Sequence, residues 1–503
     1  MESCIITDRD YNTGGHEMKK LFSLLLAGLL LLPVFTACGE SQENSDPAAD
    51  SNQTATNENP TAETAAPEET ALSDDLPDAD FGGYEFRIAS GMGEGIPMAN
   101  RITVEDYTGT PVTDALRDST VYIEDRFNVK LTTLIYDNDK TAYTSAVTAG
   151  DDAYDIQVAA DYISYGMAAS GMFIDMFSVE QFNFDKPWWP KRMTETLSIC
   201  GSLYTTSSYL SYMGLDWTRA LLINKDYAER QGLTVPYDKV REGTWTLDSM
   251  IAYVEGVSND LDGNGKIDKQ DEIGFVTGSQ TWYCLQESMD IPVYRKDAEG
   301  NLILDFDIDR VDTYVTKMRA LMNTPDFLQT SDFFGVEMFK PGKALLCYGQ
   351  IGDAYSSYRE VDFKYGFLPT PKFDEAQAEY INCCTDGPWA IPITVPADHM
   401  DVVGTICEGL SCRNYQYVLP AYFETSMKSR LADSPDDAEM LQLIADTRTT
   451  SFSYANDLTF KNILSDLGNN DKGVASYYEK SSKAANKLLE KLVSSYESLK
   501  DGN

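Results

Sequence analysis

Between Tyr84 and Ala160 the chain switches repeatedly between strand-like and helix-like patterning, and this alternation narrows the fold more than any other feature. YEFRIAS (84–90) reads as a strand ending in small residues. VTDALRDSTVYIEDRFNV (112–129) has helical spacing, with Ala115, Leu116, Val121, Ile123 and Phe127 as its inner face. KLTTLIYD (130–137) is the next strand, AYTSAVTAG (142–150) a short helix closed by glycine, and YDIQVAA (154–160) a buried strand. A βαβαβ order of this kind builds an α/β layer with parallel strands. Ligands of such sheets sit beyond the carboxyl ends of the strands. That rule alone puts Ser90, Gly91, Asp161 and Tyr162 beside a binding site.

At 503 residues there is room for two or three domains. Acidic residues outnumber basic ones 80 to 40, which excludes the basic footprint that a phosphate backbone demands. The two histidines, His16 and His399, argue against a multi-histidine metal site, and His399 in VPADHMD reads as the polar start of a helix. Nine cysteines are too few for a disulfide scaffold at this length, no CxxC pair occurs, and a bond between adjacent Cys383 and Cys384 would be strained.

Upstream of the α/β body, Met18-Lys19-Lys20 precedes an apolar run of about fourteen residues, Leu21 to Val34, too short to span a bilayer but suited to a signal segment. The run ends in VFTAC, which resembles a bacterial lipobox, with Phe35 where leucine is usual. The resemblance implies that Cys38 is lipidated and becomes the mature N-terminus. Residues 1–17 fit no signal, so translation is expected to begin at Met18. Residues 39–80 hold twelve Asp or Glu and no Lys or Arg, a composition that cannot bury enough surface to fold. A coil of that length reaches roughly 35 Å and would hold the body off an anionic membrane.

The body contains an ordered series of segments: AGDDAYDIQVAAD, SLYTTSSYLSYMGLDWTRALLINKDYAERQGLTVP, GTWTLDSMIAYV, KPGKALLCYGQIG, FKYGFLPTPKFD and DGPWAIPIT. In this order the chain resembles extracellular solute-binding lipoproteins of ABC importers, above all those of Firmicutes handling sugars or oligosaccharides. The resemblance covers about residues 80 to 500. It implies a two-lobe type II periplasmic-binding-protein fold with crossing hinge strands. RALLINK (219–225) would make the first crossing, FKYGFLP (363–369) the return, and DGPWAIPIT (386–394) a lobe-one strand. The helix at 477–499 would pack mainly on lobe two. The implied organisation is a signal peptide over 1–38, a tether over 39–80, lobe one over 81–218 plus 363–412, and lobe two over 219–362 plus 413–503. The implied function is that of a monomeric, membrane-anchored receptor on the outer face of the cell. It would have no catalytic cofactor and would pass a small solute, a sugar by preference, to permease subunits. A secreted carbohydrate-active hydrolase or a solute-sensing lipoprotein of the same fold are the alternatives.

DLDGNGKIDKQDE (260–272) matches an EF-type calcium loop. Asp260, Asp262, Asn264, Asp268 and Asp271 place oxygens at positions 1, 3, 5, 9 and 12. Gly265 stands at position 6, Ile267 at position 8, and the carbonyl of Lys266 would serve position 7. The ion, Ca2+, would be structural. Sugar sites stack aromatic faces on pyranose rings and edge them with polar groups. Tyr162, Trp217, Trp282, Tyr348 and Trp389 are the stacking candidates, with Ser90, Asp161, Asp216, Gln280 and Asp386 around them. Trp188 and Trp189 in PWWP read as loop anchors in the core.

Overall fold

A computed structural model describes residues 72–501, apart from 94, 280, 281, 292, 299, 386, 429–433 and 469–472. Cys38, Gln280 and Asp386 therefore lie outside the described residues.

Strand β1 (Tyr84–Ser90) is followed by helix α1 (Pro111–Phe127), β2 (Val129–Ile135), α2 (Lys140–Ala149), β3 (Ile156–Val158) and α3 (Asp161–Ala168). β1 runs parallel to both β2 and β3, as the βαβαβ pattern requires. α1 is started by Thr110, whose side chain accepts from the Thr113 amide, and ends at Asn128 in the left-handed region. Its buried face includes Leu116, Ile123 and Phe127 as expected, together with Val112, Ser119 and Thr120. Val121 lies about 100° of helix rotation from Thr120 and is only half-buried. Gly150 closes α2 at φ 75°, a conformation that favours glycine.

A second sheet begins with β4 (Arg219–Asn224), β5 (Ile273–Thr277), helix α4 (Trp282–Ser288), α5 (Ile308–Met322), β6 (Phe327–Gln329), β7 (Ala344–Gln350) and β8 (Tyr365–Leu368). Its strand order is β6-β5-β7-β4-β8. β4 and β7 are buried along their whole length, which is why both read as continuous apolar runs rather than alternating ones. β8 pairs with β4 through all four of its residues, so FKYGFLP forms an edge of this sheet and is not the return crossing. The return comes later. β9 (Asn382–Cys384) leads to β10 (Trp389–Ala390), which joins the first sheet antiparallel to β3 and gives the order β10-β3-β1-β2. Thr218 bridges Cys384, and the Thr385 amide donates to the Trp217 carbonyl at 3.2 Å, so outgoing and returning chains lie side by side between the sheets.

Helix α6 (Met400–Arg413) packs on α1; β11 (Arg448–Thr450) pairs with β9; α7 (Phe452–Ala455) lies against α3; and α8 (Val474–Asp501) packs on α5. Near its end α8 also reaches residues N-terminal to the crossing, with Tyr496 against Tyr204 and Lys500 donating to the Cys200 carbonyl.

Two buried polar centres organise the core. Glu408 on α6 is fully buried and accepts from the indole Nε1 of Trp188 and of Trp189, each at 2.9 Å. This explains PWWP as an anchor. Burial pushes the Glu408 carboxyl up to about 7 against the pull of the two indoles. Asp216 accepts from Arg101 Nε at 2.7 Å and from the Tyr355 hydroxyl at 2.6 Å. Its carbonyl accepts from the Gly352 amide at 2.9 Å. A Cβ on Gly352 would stand 3.0 Å from that carbonyl oxygen, so a larger residue would need the two turns to give by a few tenths of an ångström.

Two outcomes follow. Asp216→Asn should destabilise the fold by roughly 3–5 kcal/mol, because it leaves the buried Arg101 charge without its partner; urea unfolding measures the difference. Glu408 has a folded value raised above its unfolded one of 4.5, so its stabilisation is complete below about 4.5 and is lost as pH rises through about 7. The difference in unfolding free energy between wild type and Glu408→Gln should therefore shrink or reverse across that window. A pH-independent difference would contradict the buried carboxyl.

Candidate functional site

The carboxyl ends of the parallel strands identify one edge on each sheet. On the first, β3 ends at Val158 and is followed by Asp161 at the start of α3. On the second, β5 ends at Thr277 and β7 at Gln350, and Arg219 at the head of antiparallel β4 pairs with Gln350. α7 against α3 brings the two edges together. There the ring of Tyr454 stacks on Tyr283 at 3.7 Å with an interplanar angle of 4°. Tyr454 lies within electrostatic reach of both Asp161 and Arg219.

Asp161 has one local contact, the Tyr162 amide donating to Oδ1 at 2.6 Å, and no cation within ion-pair distance among the described residues. Burial pushes its carboxyl up to about 6. Tyr162 is 60% exposed, at the rim. Trp217 is half-buried, lies against Gly93 of the loop after β1, and has an indole Nε1 with no partner. Arg219 is buried; Nη1 donates to Gln350 Oε1 and Nη2 to Thr385 Oγ1, both at 3.3 Å, and its plane lies 4.2 Å from the Phe334 ring centroid. Gln350 also donates its amide to Asp353 Oδ2 at 3.3 Å.

Five of the sequence candidates have other work. The Ser90 hydroxyl is fully buried; it donates to the Gly91 carbonyl and accepts from the Ala99 amide, so it fixes the turn after β1. The Asp216 carboxylate is taken up by Arg101 and Tyr355. Trp282 packs against Phe327 in the core of the second sheet. Tyr348 is fully buried in β7, two residues before the edge. Trp389 is also fully buried; it donates to Ser208 Oγ at 3.1 Å and sits between Phe182 and Trp189. Strand-end position was the signal for these residues, and it does not say which way a side chain points. Arg219, Tyr283, Tyr454, Gln350 and Phe334 were missed. Arg219 had a signal, as the one charge heading a buried apolar strand; Tyr454 had none, because about 290 residues of sequence separate it from Asp161.

The acidic loop is apart from this site. Asp260 accepts from the Gly263 and Gly265 amides at 2.7 Å each, and Asn264 Oδ1 accepts from the Lys266 amide. Buried Asp271 accepts from the Leu261 and Asp268 amides. Oxygens of Asp260, Asp262 and Asp271 lie within 4.8 Å of one another. Asp268 accepts from the Gln270 amide. The Gly265 amide, then that of Gly263, holds Asp260 below the usual carboxylate range.

No protein-family model matches the chain, and no curated protein matches it. Solved structures do. The GacH receptor of Streptomyces glaucescens GLA.O, solved unliganded and with acarbose and an acarbose homologue, aligns with a TM-score of 0.52 at 12% identity, covering 81% of this chain and 99% of that one. A cyclo/maltodextrin-binding protein complexed with maltotetraose aligns at 0.50 and 13%, covering 81% and 96%. UgpB from Mycobacterium tuberculosis, in complex with glycerophosphocholine, aligns at 0.50 and 14%, covering 82% and 99%. The fold is therefore the two-lobe α/β fold of periplasmic solute-binding proteins.

If ionised Asp161 accepts hydrogen bonds from a ligand, affinity should fall as pH drops through about 6, approaching tenfold per unit below it. Asp161→Asn should bind more weakly and without that dependence. Calorimetric titration between pH 5 and 8 checks this, and a flat wild-type profile would remove Asp161 from the contact.

Proposed function

We propose that this chain is an extracellular solute receptor that takes up a saccharide between its two lobes and delivers it to the permease of an ABC importer. The observation that carries the reading is the convergence of both carboxyl edges on one aromatic and polar set: Asp161, Trp217, Arg219 and the Tyr283–Tyr454 stack. Aromatic faces pair with the C–H faces of sugar rings, while carboxylate, amide and guanidinium groups bond their hydroxyls. The ligands of the GacH receptor and of the cyclo/maltodextrin-binding protein support the saccharide class. Receptors of this kind work by binding and need no catalytic step.

In this reading the solute closes the lobes by a hinge at the paired segments Trp217–Thr218 and Cys384–Thr385, and it shifts the population only by its preference for the closed form. Cys38 would carry the lipid anchor, with two or three acyl chains giving stable attachment where one is marginal. The stretch expected as tether, 39–80, is shortened at its end, because Asp74 pairs with Arg126 at 2.6 Å and Leu76 and Ala79 pack against the core; the tether would be the part before residue 72. The loop from Asp260 would hold a structural Ca2+ through Asp260, Asp262, Asn264, the Lys266 carbonyl, Asp268 and Asp271.

Three measurements test these parts. Tyr454→Ala or Tyr283→Ala should weaken binding of the cognate saccharide by about 2 kcal/mol or more, as expected for a buried aromatic contact. If titration finds binding that neither change weakens, the site is elsewhere. Chelator should lower the melting temperature of wild type but not of Asp260→Ala/Asp262→Ala; an ion bound only by the folded state adds about 2.7 kcal/mol at a hundredfold excess over Kd. Equal melting shifts in both proteins would count against the ion. Mass spectrometry of the membrane-extracted N-terminus should find acylated Cys38, and an unmodified cysteine would sink the anchor.

A further inference from the structure

We propose that Arg219 anchors the solute and that the solute carries a carboxylate there, which makes the ligand an acidic saccharide containing a uronic acid unit. This rests on the saccharide-receptor reading and narrows it.

Arg219 heads β4 and pairs with Gln350, the last residue of β7, so it stands at the carboxyl edge where ligands of such a sheet bind. It is 2% exposed, and no carboxylate among the described residues comes within ion-pair distance of it. Burial opposes its charge, and the groups that favour it are, in order, the buried Cys284 thiol, Tyr283, Tyr348 and Asp353. Its two acceptors are neutral and distant, Gln350 and Thr385 at 3.3 Å each, and its Nε has none. The other buried arginines have shorter contacts, although Arg448 Nε likewise has no acceptor. Arg101 meets the Asp216 carboxylate at 2.7 Å, and Arg448 donates to the Tyr209 hydroxyl at 2.7 Å and to the Ala445 carbonyl. Removing a guanidinium from water without a counter-ion costs several kcal/mol. A bound anion offsets that cost and fills the open donor.

The surroundings select the kind of anion. A guanidinium presents a planar fork that matches a carboxylate. Arg219 supplies a single positive charge, with Asp353 behind it and Asp161 on the facing edge. A doubly charged phosphate would repel both acids more strongly than a carboxylate would. The Tyr283–Tyr454 stack beside Arg219 offers an apolar wall for the sugar ring that bears the carboxylate.

The test is calorimetric titration of the full chain at pH 7 with galacturonate and glucuronate oligosaccharides, their neutral methyl esters, and a sugar phosphate. The free acid should bind at least tenfold more tightly than its ester. Arg219→Gln should abolish that difference, and Arg219→Lys should keep part of it, with folding of both checked by thermal melting. The acid-to-ester comparison is made on wild type, so it decides even if Arg219→Gln does not fold. Esters binding as tightly as acids would overturn this inference while leaving the receptor reading intact. A sugar phosphate binding more tightly than the acids would overturn the carboxylate. Binding of none of these saccharides would overturn the uronate assignment, and a neutral maltodextrin titrated beside them decides whether the receptor reading stands or falls with it.

Discussion

The rest of the structure depends on the buried pair between Arg101 and Asp216. Arg101 ends the short helical turn that follows the loop after β1; Asp216 stands just before the chain leaves for the second sheet. Through Tyr355 and the Gly352 amide the same aspartate holds the turn after β7. One side chain and its carbonyl thus join the carboxyl edge of the first sheet to that of the second. Burial pushes the Asp216 carboxyl upward while Arg101 and Tyr355 pull it down. A pair removed from water this completely is weak evidence for net stability and better evidence for specified geometry. Here the geometry is the register of two ligand-binding edges about a two-stranded connection.

Arg219 lies three residues farther along and presents the opposite case. It is as buried as Arg101 but has neutral, long contacts. The fold gives one cation a carboxylate at 2.7 Å where the lobes are joined and leaves the next with neutral contacts where a ligand enters. That contrast separates joint from site, and it explains why Asp216, a ligand candidate by sequence, belongs to the joint.

Much of the first sheet was legible because hydrophobic period, caps and glycine closure are local properties. β1, α1, β2, α2 and β3 appear within a few residues of their expected bounds. The continuous apolar runs of β4 and β7 were legible for the same reason, since a strand covered on both faces needs no polar alternation. The site was less legible. Asp161 and Tyr162 followed from topology, but the rotation of a side chain at a strand end depends on what packs above it. Trp389 was drawn into the core by Trp189, Phe182 and the Ser208 hydroxyl, none of them its sequence neighbours. The Tyr283–Tyr454 stack joins residues 171 positions apart, a juxtaposition that only the tertiary fold creates.

The central claim is that the solute lies between the two carboxyl edges. Hydrogen exchange with and without a bound saccharide measures this directly. The account predicts slowed exchange in peptides covering 159–163, 217–220, 350–353 and 452–455, with little change in 260–271. Protection confined to one lobe, or found elsewhere with those four segments unchanged, would contradict it.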